Sequence, residues 1–248
     1  MCATCGCGDN GHGHQHTHDH GTGRTVIDLE KDILYENNML AQRNRGYFEG
    51  KNILALNLVS SPGSGKTSLL ERTLTDMKGQ MKFYVIEGDQ QTNHDAERIH
   101  ATGTKVAQIN TGKGCHLDAH MVLHALQDMK PEADSVMFIE NVGNLVCPAM
   151  FDLGETKRVV VMSVTEGEDK PAKYPDMFHS SQLCIINKID LLPYVTFNLE
   201  KAKAFAKQVN PHLEIIELSC SSGQGMEQWY EWLSVHAASL VPAHIHQH

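Results

Sequence analysis

The residues best suited to chemistry form a glycine-rich loop, SSPGSGKTS, over residues 60–68. The loop lies between an apolar run and an amphipathic one, which is the strand–loop–helix context of a phosphate-binding loop. Ser60 takes the place of the glycine that usually begins this motif. We expect Lys66 to reach the β- and γ-phosphates of a nucleotide, and the Thr67 hydroxyl to bind Mg²⁺. The predicted nucleotide-contact residues of the loop are Gly63, Ser64, Gly65, Lys66, Thr67 and Ser68.

A second motif, INKID, indicates which base the nucleotide carries. Asn187, Lys188 and Asp190 follow an apolar run, as a guanine-recognition N-K-x-D motif does. The Asp190 carboxylate can accept hydrogen bonds from N1–H and the exocyclic amine of guanine, whereas adenine would leave this carboxylate unpaired. Ser219 and Cys220, in the segment SCSSG, are placed to contact the guanine from its other side. The sequence therefore predicts GTP and GDP as ligands, and the place of the motif before the last strand argues against an ordinary surface turn.

Two acidic residues are predicted to lie at the ends of strands. Asp89 in IEGDQQT and Glu140 in FIENVGN fall at the carboxyl edge of the sheet, where open α/β sheets bind ligands. Glu140 stands where a D-x-x-G motif would have aspartate. We predict that both carboxylates bind Mg²⁺ with Thr67 and orient the attacking water, and that the catalytic residues are Lys66, Asp89 and Glu140. The alternative is that each carboxylate is a solvated strand-end residue.

Two other segments contain soft metal ligands. TGKGCHLDAH contains Cys115 and His116, and NLVCPAM contains Cys147. Because adjacent residues cannot share one helix face, a site that uses the first two must lie in a loop or at the start of a helix. Two thiolates and one imidazole suit Zn²⁺ or Ni²⁺, and a second subunit, water or a partner would complete the site. Spacing alone leaves open that these cysteines are structural, and Cys184 and Cys220 are predicted to be packing residues.

The first 25 residues, beginning MCATCGCGDNGHGHQHTHDH, have many metal ligands and almost no apolar side chains. Such a composition cannot form a core, so we predict a disordered segment over residues 1–25. Its three cysteines are close enough for a loop to place three thiolates around one ion, and with a fourth ligand they would give the square-planar geometry that Ni²⁺ accepts. The alternating histidines lack the spacing of one defined site and are interpreted as a weak nickel store, or else as a solvated polar tail. The predicted ligands are Cys2, Cys5 and Cys7 for the tight site and His12, His14, His16, His18 and His20 for the store, and His244, His246 and His248 lie in a tail over residues 241–248.

The rest of the chain alternates apolar runs with amphipathic stretches. Seven apolar runs are predicted strands, and because they are continuous rather than alternating, they indicate a mainly parallel sheet with helices on both faces. The predicted fold class is α/β, with a single P-loop GTPase domain and a doubly wound sheet over residues 26–240. A helix precedes the first strand and ends at Gly50. Its predicted apolar stripe consists of Leu29, Ile33, Leu40 and Tyr47.

Composition excludes several classes of protein. No apolar run among the 248 residues approaches the roughly 20 needed to cross a bilayer, so no membrane association is predicted. The formal net charge of -9 argues against binding to nucleic acid, whose partners are basic. The N-terminus has no apolar signal-peptide region, which predicts a cytoplasmic protein. In that reducing compartment, the seven cysteines indicate metal or redox chemistry rather than disulfides.

These motifs together resemble the hydrogenase-maturation nickel GTPase family (HypB). The resemblance rests on MCATCGCG, NLVSSPGSGKTSLLE, VIEGDQQT, NTGKGCHLDAHM, FIENVGNLVCPA, FDLGE, SVTEGEDKPAKYPDMF and NKIDLLPY, in that order. It implies a GTPase that supports nickel insertion into the large subunit of [NiFe]-hydrogenase, with a small nickel-delivery partner, HypA, and a homodimer that forms around GTP.

The resemblance also assigns roles to particular residues. It implies that Lys170 or Lys173 reaches the partner subunit's nucleotide. The sequence departs from the family pattern at Cys220, where alanine is usual. The implied metal sites are a tight nickel site at Cys2, Cys5 and Cys7, and a site near the dimer interface at Cys115, His116 and Cys147.

The predicted function is that of a GTP-hydrolysing nickel metallochaperone, with slow turnover and additional nickel storage on the histidine tracts. Two alternatives belong to other classes. One is a urease-type nickel or a zinc metallochaperone GTPase. The other is a metal-storage protein in which the nucleotide is only a conformational regulator.

Overall fold

The structure, a computed structural model, describes residues 26–89, 94–112 and 114–240, without the side chains of residues 26–28, 30, 89 and 94. The predicted N-terminal nickel site and both histidine tracts lie outside the described residues. These residues are Cys2, Cys5, Cys7, His12, His14, His16, His18, His20, His244, His246 and His248.

A parallel sheet of seven strands forms the centre of the described fold, in the order β3-β2-β4-β1-β5-β6-β7. Every neighbouring pair of strands is parallel, as the continuous apolar runs predicted. The predicted α/β class with a doubly wound sheet is therefore confirmed. The strands are β1 Leu54–Ser60, β2 Lys82–Asp89, β3 Lys105–Asn110, β4 Ser135–Gly143, β5 Lys157–Ser163, β6 Leu183–Asn187 and β7 Glu214–Glu217.

Helices cover both faces of this sheet. On one face α2, α3 and α9 pack around Phe138 and the fully buried Trp229. On the other face α1 and α4 pack around Phe48 and Met137, and α7 and α8 pack around Phe178. None of the described helices is long and apolar enough to cross a membrane. The helices are α1 Val26–Gly50, α2 Lys66–Asp76, α3 His94–Ala101, α4 Ala119–Met129, α5 Cys147–Met150, α6 Lys170–Lys173, α7 Pro175–His179, α8 Leu199–Val209 and α9 Met226–Leu240, with a 3₁₀ helix at Ile189–Tyr194.

The buried face of the first helix agrees with the predicted stripe only in part, since Leu40 and Tyr47 are partly buried and Tyr47 packs against the core. Leu29 and Ile33 of the predicted stripe are 51% and 47% exposed. The buried face instead contains Asn37, Asn44 and Phe48, which follow one another at helical spacing. The prediction was wrong for Leu29 and Ile33 because two asparagines face the protein interior, where their amides bond to backbone groups that an aliphatic side chain could not satisfy.

We predict that Gly154→Ala destabilises the packing of α1. Gly154 has φ +85°, and a Cβ there would lie 2.8 Å from both the backbone nitrogen of Arg45 and the Cβ of Asn44. Strain and overlap should together lower the free energy of unfolding, measured by urea denaturation, by about 2–4 kcal/mol. Gly46→Ala is the control, because Gly46 is an exposed position of α1 with open space around it. It should raise the free energy of unfolding by about 0.5–1 kcal/mol, and equal effects of the two substitutions would contradict this packing.

Candidate functional site

A cavity of about 500 Å³ opens at the carboxyl ends of the central strands, against the glycine-rich loop. Gly63 and Gly65 adopt positive φ angles of 76° and 97°, so the loop needs glycine at both positions. The N-K-x-D motif holds this loop in place. The Asn187 Nδ2 donates to the carbonyl of Ser64 at 2.9 Å, and the Lys188 Nζ donates to the carbonyl of Gly63 at 2.8 Å. A Cβ on Gly65 would collide with the Asn187 amide.

The floor of the cavity is a cluster of buried charged and hydroxyl groups. The Lys66 Nζ donates to the Ser60 Oγ at 2.7 Å, which gives a role to the serine that replaces the first glycine of the motif. The Thr67 Oγ1 donates to the Glu140 Oε1 at 2.8 Å. Burial lowers the pKa of Lys66, and the charge of Glu140 acts in the opposite direction. Burial likewise raises the pKa of Glu140, against the influence of Lys66 and the Thr67 hydroxyl.

This cluster fits a magnesium ion. The buried Oε2 of Glu140 has no hydrogen-bond partner within the described ranges, and a carboxylate beside a hydroxyl is the hard oxygen set that Mg²⁺ prefers. Asp89 is the last residue of β2, whose carboxyl end borders the same cavity, although its side chain is outside the described part of the chain. The predicted pairing of Thr67 with Glu140 is therefore present.

Sequence reasoning missed two residues of α3 that line this cavity. Asp95 lies near enough for its charge to act on both Lys66 and Glu140. Arg98 donates from Nη2 to the Ser68 Oγ at 3.3 Å, and thereby joins α3 to the first turn of α2. The signal in the sequence was the acidic first turn of an amphipathic stretch that begins five residues after the strand-end Asp89.

A third group of contacts reaches the loop from the segment after β5. The Glu166 Oε1 accepts a hydrogen bond from the Ser64 Oγ at 2.7 Å. The Lys170 Nζ donates to the Ser61 Oγ at 2.9 Å, whereas Lys173 pairs with Asp169 at 2.8 Å. In this single chain, Lys170 therefore contacts its own phosphate-binding loop.

The predicted base-binding residues lie together at one end of this arrangement. The Asp190 Oδ1 is buried and has no hydrogen-bond partner in the part of the chain that the structure describes. The backbone N–H of Cys220 donates to the Asn187 Oδ1 at 3.2 Å, and Ser219 is fully buried. Burial raises the pKa of the Cys220 thiol to about 11, so this position presents its backbone rather than a thiolate. An unpaired carboxylate oxygen at this point suits a ligand that donates hydrogen bonds.

Cys115, His116 and Cys147 lie together as a second candidate site, here called the metal triad. One ligand atom from each lies within 4.8 Å of the other two, and the Cys115 Sγ is 3.6 Å from the His116 Nδ1. The first two residues lie in the loop before α4, and Cys147 begins α5. Burial lowers the pKa of His116, which favours the neutral imidazole that binds metals. The structure thus brings together the three ligands that the sequence predicted.

The side chains around the metal triad hold both of its segments. The Phe151 ring stacks on the His116 imidazole with centroids 3.9 Å apart. Arg158, which is buried and paired with Glu155 at 2.9 Å, donates to the carbonyls of Ala149 and Phe151 at 3.3 and 3.0 Å. The segment after Cys147 is therefore fixed to β5.

A short path connects the metal triad to the nucleotide cavity. The Leu117 N–H donates to the Asn141 Oδ1 at 3.1 Å, and Asn141 directly follows Glu140. On the other side of Leu117, its side chain fills the space that a Cβ on Gly88 would occupy. Gly143 in turn packs against Pro62 of the phosphate-binding loop. The Cys115–His116 segment therefore contacts residues that border the cavity, and Cys147 lies four residues after Gly143, which borders it too.

Comparison with known proteins places this geometry in a family. Residues 54–217 match the family model described as CobW/HypB/UreG, nucleotide-binding domain. The hydrogenase maturation factor HypB of Rhizobium leguminosarum bv. viciae is 60% identical over 213 residues, which cover 86% of this chain and 71% of that protein. The chain belongs to the HypB family.

Solved structures of the HypB family have the same fold. The HypB structure from Archaeoglobus fulgidus is 43% identical with a TM-score of 0.77, over 82% of this chain and 99% of that one. HypB from Helicobacter pylori, solved in complex with nickel, is 36% identical with a TM-score of 0.76, over 82% of this chain and 96% of that one. The resemblance inferred from the motifs is therefore confirmed.

We predict that thiol reactivity separates the four cysteines of the described residues into two classes. Cys115 and Cys147 are half-buried, whereas burial raises the pKa of Cys184 to about 12 and that of Cys220 to about 11. At pH 8 the last two would be thiolate in only about one molecule in 10,000 and one in 1,000, so iodoacetamide should modify the first pair and spare the second. Peptide mass spectrometry of the native chain measures this, with the urea-unfolded chain as control. Equal labelling of all four in the native chain would contradict it.

Proposed function

We propose that this HypB-family chain is a GTP-hydrolysing nickel metallochaperone, in which the bound nucleotide controls a nickel ion on the metal triad. The observation that carries this proposal is the hydrogen bond between Leu117 and Asn141, since it joins the residue after the metal ligand His116 to the residue after Glu140. The H. pylori HypB structure, which was solved in complex with nickel, supports nickel as the cargo. Two thiolates and an imidazole also accept Zn²⁺, so zinc is the competing metal.

The nucleotide chemistry is assigned to the cavity residues. Lys66 would leave the Ser60 hydroxyl for the β- and γ-phosphates, and the buried Asp190 oxygen would accept hydrogen bonds from guanine. Thr67 and Glu140, with Asp89 as predicted from the sequence, would hold Mg²⁺. When bound, that ion neutralises charge on the phosphates. Glu140 would also orient the attacking water, because its carboxylate is fixed by the Thr67 hydroxyl.

We predict that Lys66→Ala lowers the rate of phosphate release from GTP by about 100-fold or more, because it removes the one buried cation of the loop that faces the phosphates. Lys82→Ala is the control, since Lys82 is an exposed lysine paired with Glu132 and lies far along β2 from the cavity. It should keep the parent rate. Phosphate release that survives Lys66→Ala would contradict the role given to Lys66, and absence of phosphate release from the parent chain would instead support a metal-storage protein with a nucleotide that acts only as a regulator.

The rest of the proposal concerns partners and setting. We propose that two copies close around GTP, and that Lys170 then leaves the phosphate-binding loop of its own chain and contacts the nucleotide of the partner subunit. We also propose that HypA is the donor of nickel and that the [NiFe]-hydrogenase large-subunit precursor is its acceptor. The N-terminal cysteines would form the tight nickel site, and the histidine tracts would form a weak store. The name of the Rhizobium relative supports hydrogenase maturation rather than urease maturation. A chain whose buried Cys184 and Cys220 remain thiols suits the cytoplasm.

We predict that the nickel affinity of the metal triad differs between the GDP-bound and GTP-analogue-bound chain by about 5-fold or more. A change at Glu140 on nucleotide binding would be passed to Leu117 through Asn141, and would alter the spacing of the three ligands. Competition titration with a chromophoric chelator measures each affinity in a parent chain that carries Cys2→Ser, Cys5→Ser and Cys7→Ser, so that the proposed N-terminal nickel site does not contribute. Cys147→Ser is the control, because it removes the site that responds and should abolish the difference. Equal affinities in the parent chain would overturn the proposed coupling.

A further inference from the structure

Two buried asparagines of α1 connect segments that lie far apart in the chain. The Asn37 Oδ1 accepts from the Ala119 N–H at 2.9 Å, while its Nδ2 donates to the Asp152 carbonyl at 2.8 Å. The Asn44 Nδ2 donates to the carbonyl of Ala119 at 2.8 Å and to that of Leu153 at 3.0 Å. Each amide therefore bridges the start of α4 to the segment after Phe151.

The bridged residues flank the metal triad on both sides. Ala119 follows His116 by three residues and begins the helix that the ligand loop enters. Asp152 follows Phe151, the residue whose ring stacks on His116, and ends the segment that begins at Cys147. The two ligand-bearing segments thus share one pair of side chains on a third element, which itself supplies no described ligand to the triad.

These asparagines have few ways to move. Asn44 is fully buried and Asn37 is 6% exposed, so each lost hydrogen bond would leave a buried backbone group unsatisfied. The Ala119 N–H belongs to the first turn of α4, where the helix itself offers it no acceptor. Helix α1, which carries both asparagines, is also anchored to the second segment, because the Arg45 Nη2 lies 2.9 Å from both carboxylate oxygens of Asp152.

We infer that Asn37 and Asn44 are positioning residues of the metal triad, which set the distance between the Cys115–His116 segment and the Cys147 segment. This inference rests on the proposed function, since it requires the triad to bind a metal. Groups that hydrogen-bond to metal ligands typically change metal affinity by about 10-fold to 100-fold when they are removed, and the two asparagines act one step further out, on the backbone of the ligand-bearing segments. We therefore expect Asn37→Ala or Asn44→Ala to raise the Kd for nickel by about 10-fold.

The test uses the full chain carrying Cys2→Ser, Cys5→Ser and Cys7→Ser, so that thiolate-to-nickel absorption reports on Cys115 and Cys147. Nickel alone, without nucleotide, is titrated against a chelator for the parent and for each asparagine variant. Each variant is then repeated with Cys147→Ser. If the asparagines act by aligning the two segments, they should have no further effect on nickel affinity once Cys147 is absent, because no second segment remains to be aligned.

Asn210→Ala provides a matched control. The Asn210 Nδ2 also joins backbone segments, since it donates to the carbonyls of Phe178, His179 and Ser181 at 3.2, 3.2 and 2.9 Å. It belongs to the contacts between α7 and α8 and touches neither segment of the metal triad. Its removal should weaken the fold and leave the nickel Kd within about 2-fold of the parent value. A rise equal to that of Asn37→Ala would mean that general loosening lowers the affinity, and would overturn the inference.

Arg45→Ala keeps the test valid if the asparagine variants do not fold. The Arg45–Asp152 pair is about one-third exposed, so its loss should spare the core and raise the nickel Kd by only about 2-fold to 5-fold. An unchanged Kd for folded Asn37→Ala and Asn44→Ala, or for Arg45→Ala in their place, would overturn the positioning role while the proposed function stands. If the parent shows no thiolate-to-nickel absorption and Cys147→Ser leaves its nickel affinity unchanged, the proposed metal site fails first, and this inference fails with it.

Discussion

The structure depends above all on opposite charges buried together at the end of a parallel sheet. Lys66 and Glu140 have lost most of their hydration, and each is partly compensated by the other and by a hydroxyl. Such groups remain in a folded protein only when the surrounding backbone holds them in place. The left-handed glycines, the register of β1 against β4 and the contacts of Asn187 all serve this purpose. A highly charged ligand that binds together with a cation would compensate the charges of Lys66 and Glu140 that the protein compensates only in part.

The parallel sheet also explains why two different chemistries lie so close together. All of its strands point the same way, so the loops after β1, β2, β3 and β4 emerge at one edge. The loop after β1 is the phosphate-binding loop, the loop after β3 leads to Cys115, and the one after β4 leads to Cys147. A movement of one of these loops can therefore displace its neighbours through direct contact, without a long chain of intermediate residues.

Much of the site was predictable because its motifs specify backbone conformation over a few residues. Gly63, Gly65 and the N-K-x-D motif have fixed spacing, so their geometry follows from local sequence. The same holds for the contact of Thr67 with Glu140, since the helix that follows the phosphate-binding loop begins at the edge of the sheet where β4 ends. The buried face of α1 was not predictable in this way. Hydrophobic periodicity favours Leu29 and Ile33, whereas the partners of Asn37 and Asn44 are backbone groups more than 70 residues away.

The contacts of Asn187 have a consequence for which sequences this fold can tolerate. This one side chain donates to the loop at Ser64, accepts from the N–H of Cys220, and occupies the space that Gly65 leaves empty. A side chain at position 65 would be strained by the φ of +97° and would also collide with Asn187, and a smaller residue at 187 would release the backbone at 220. A substitution at any one of positions 65, 187 and 220 is therefore expected to affect which residues the other two can hold. Position 220 itself is held through its main chain, so its side chain can differ, as the cysteine there does.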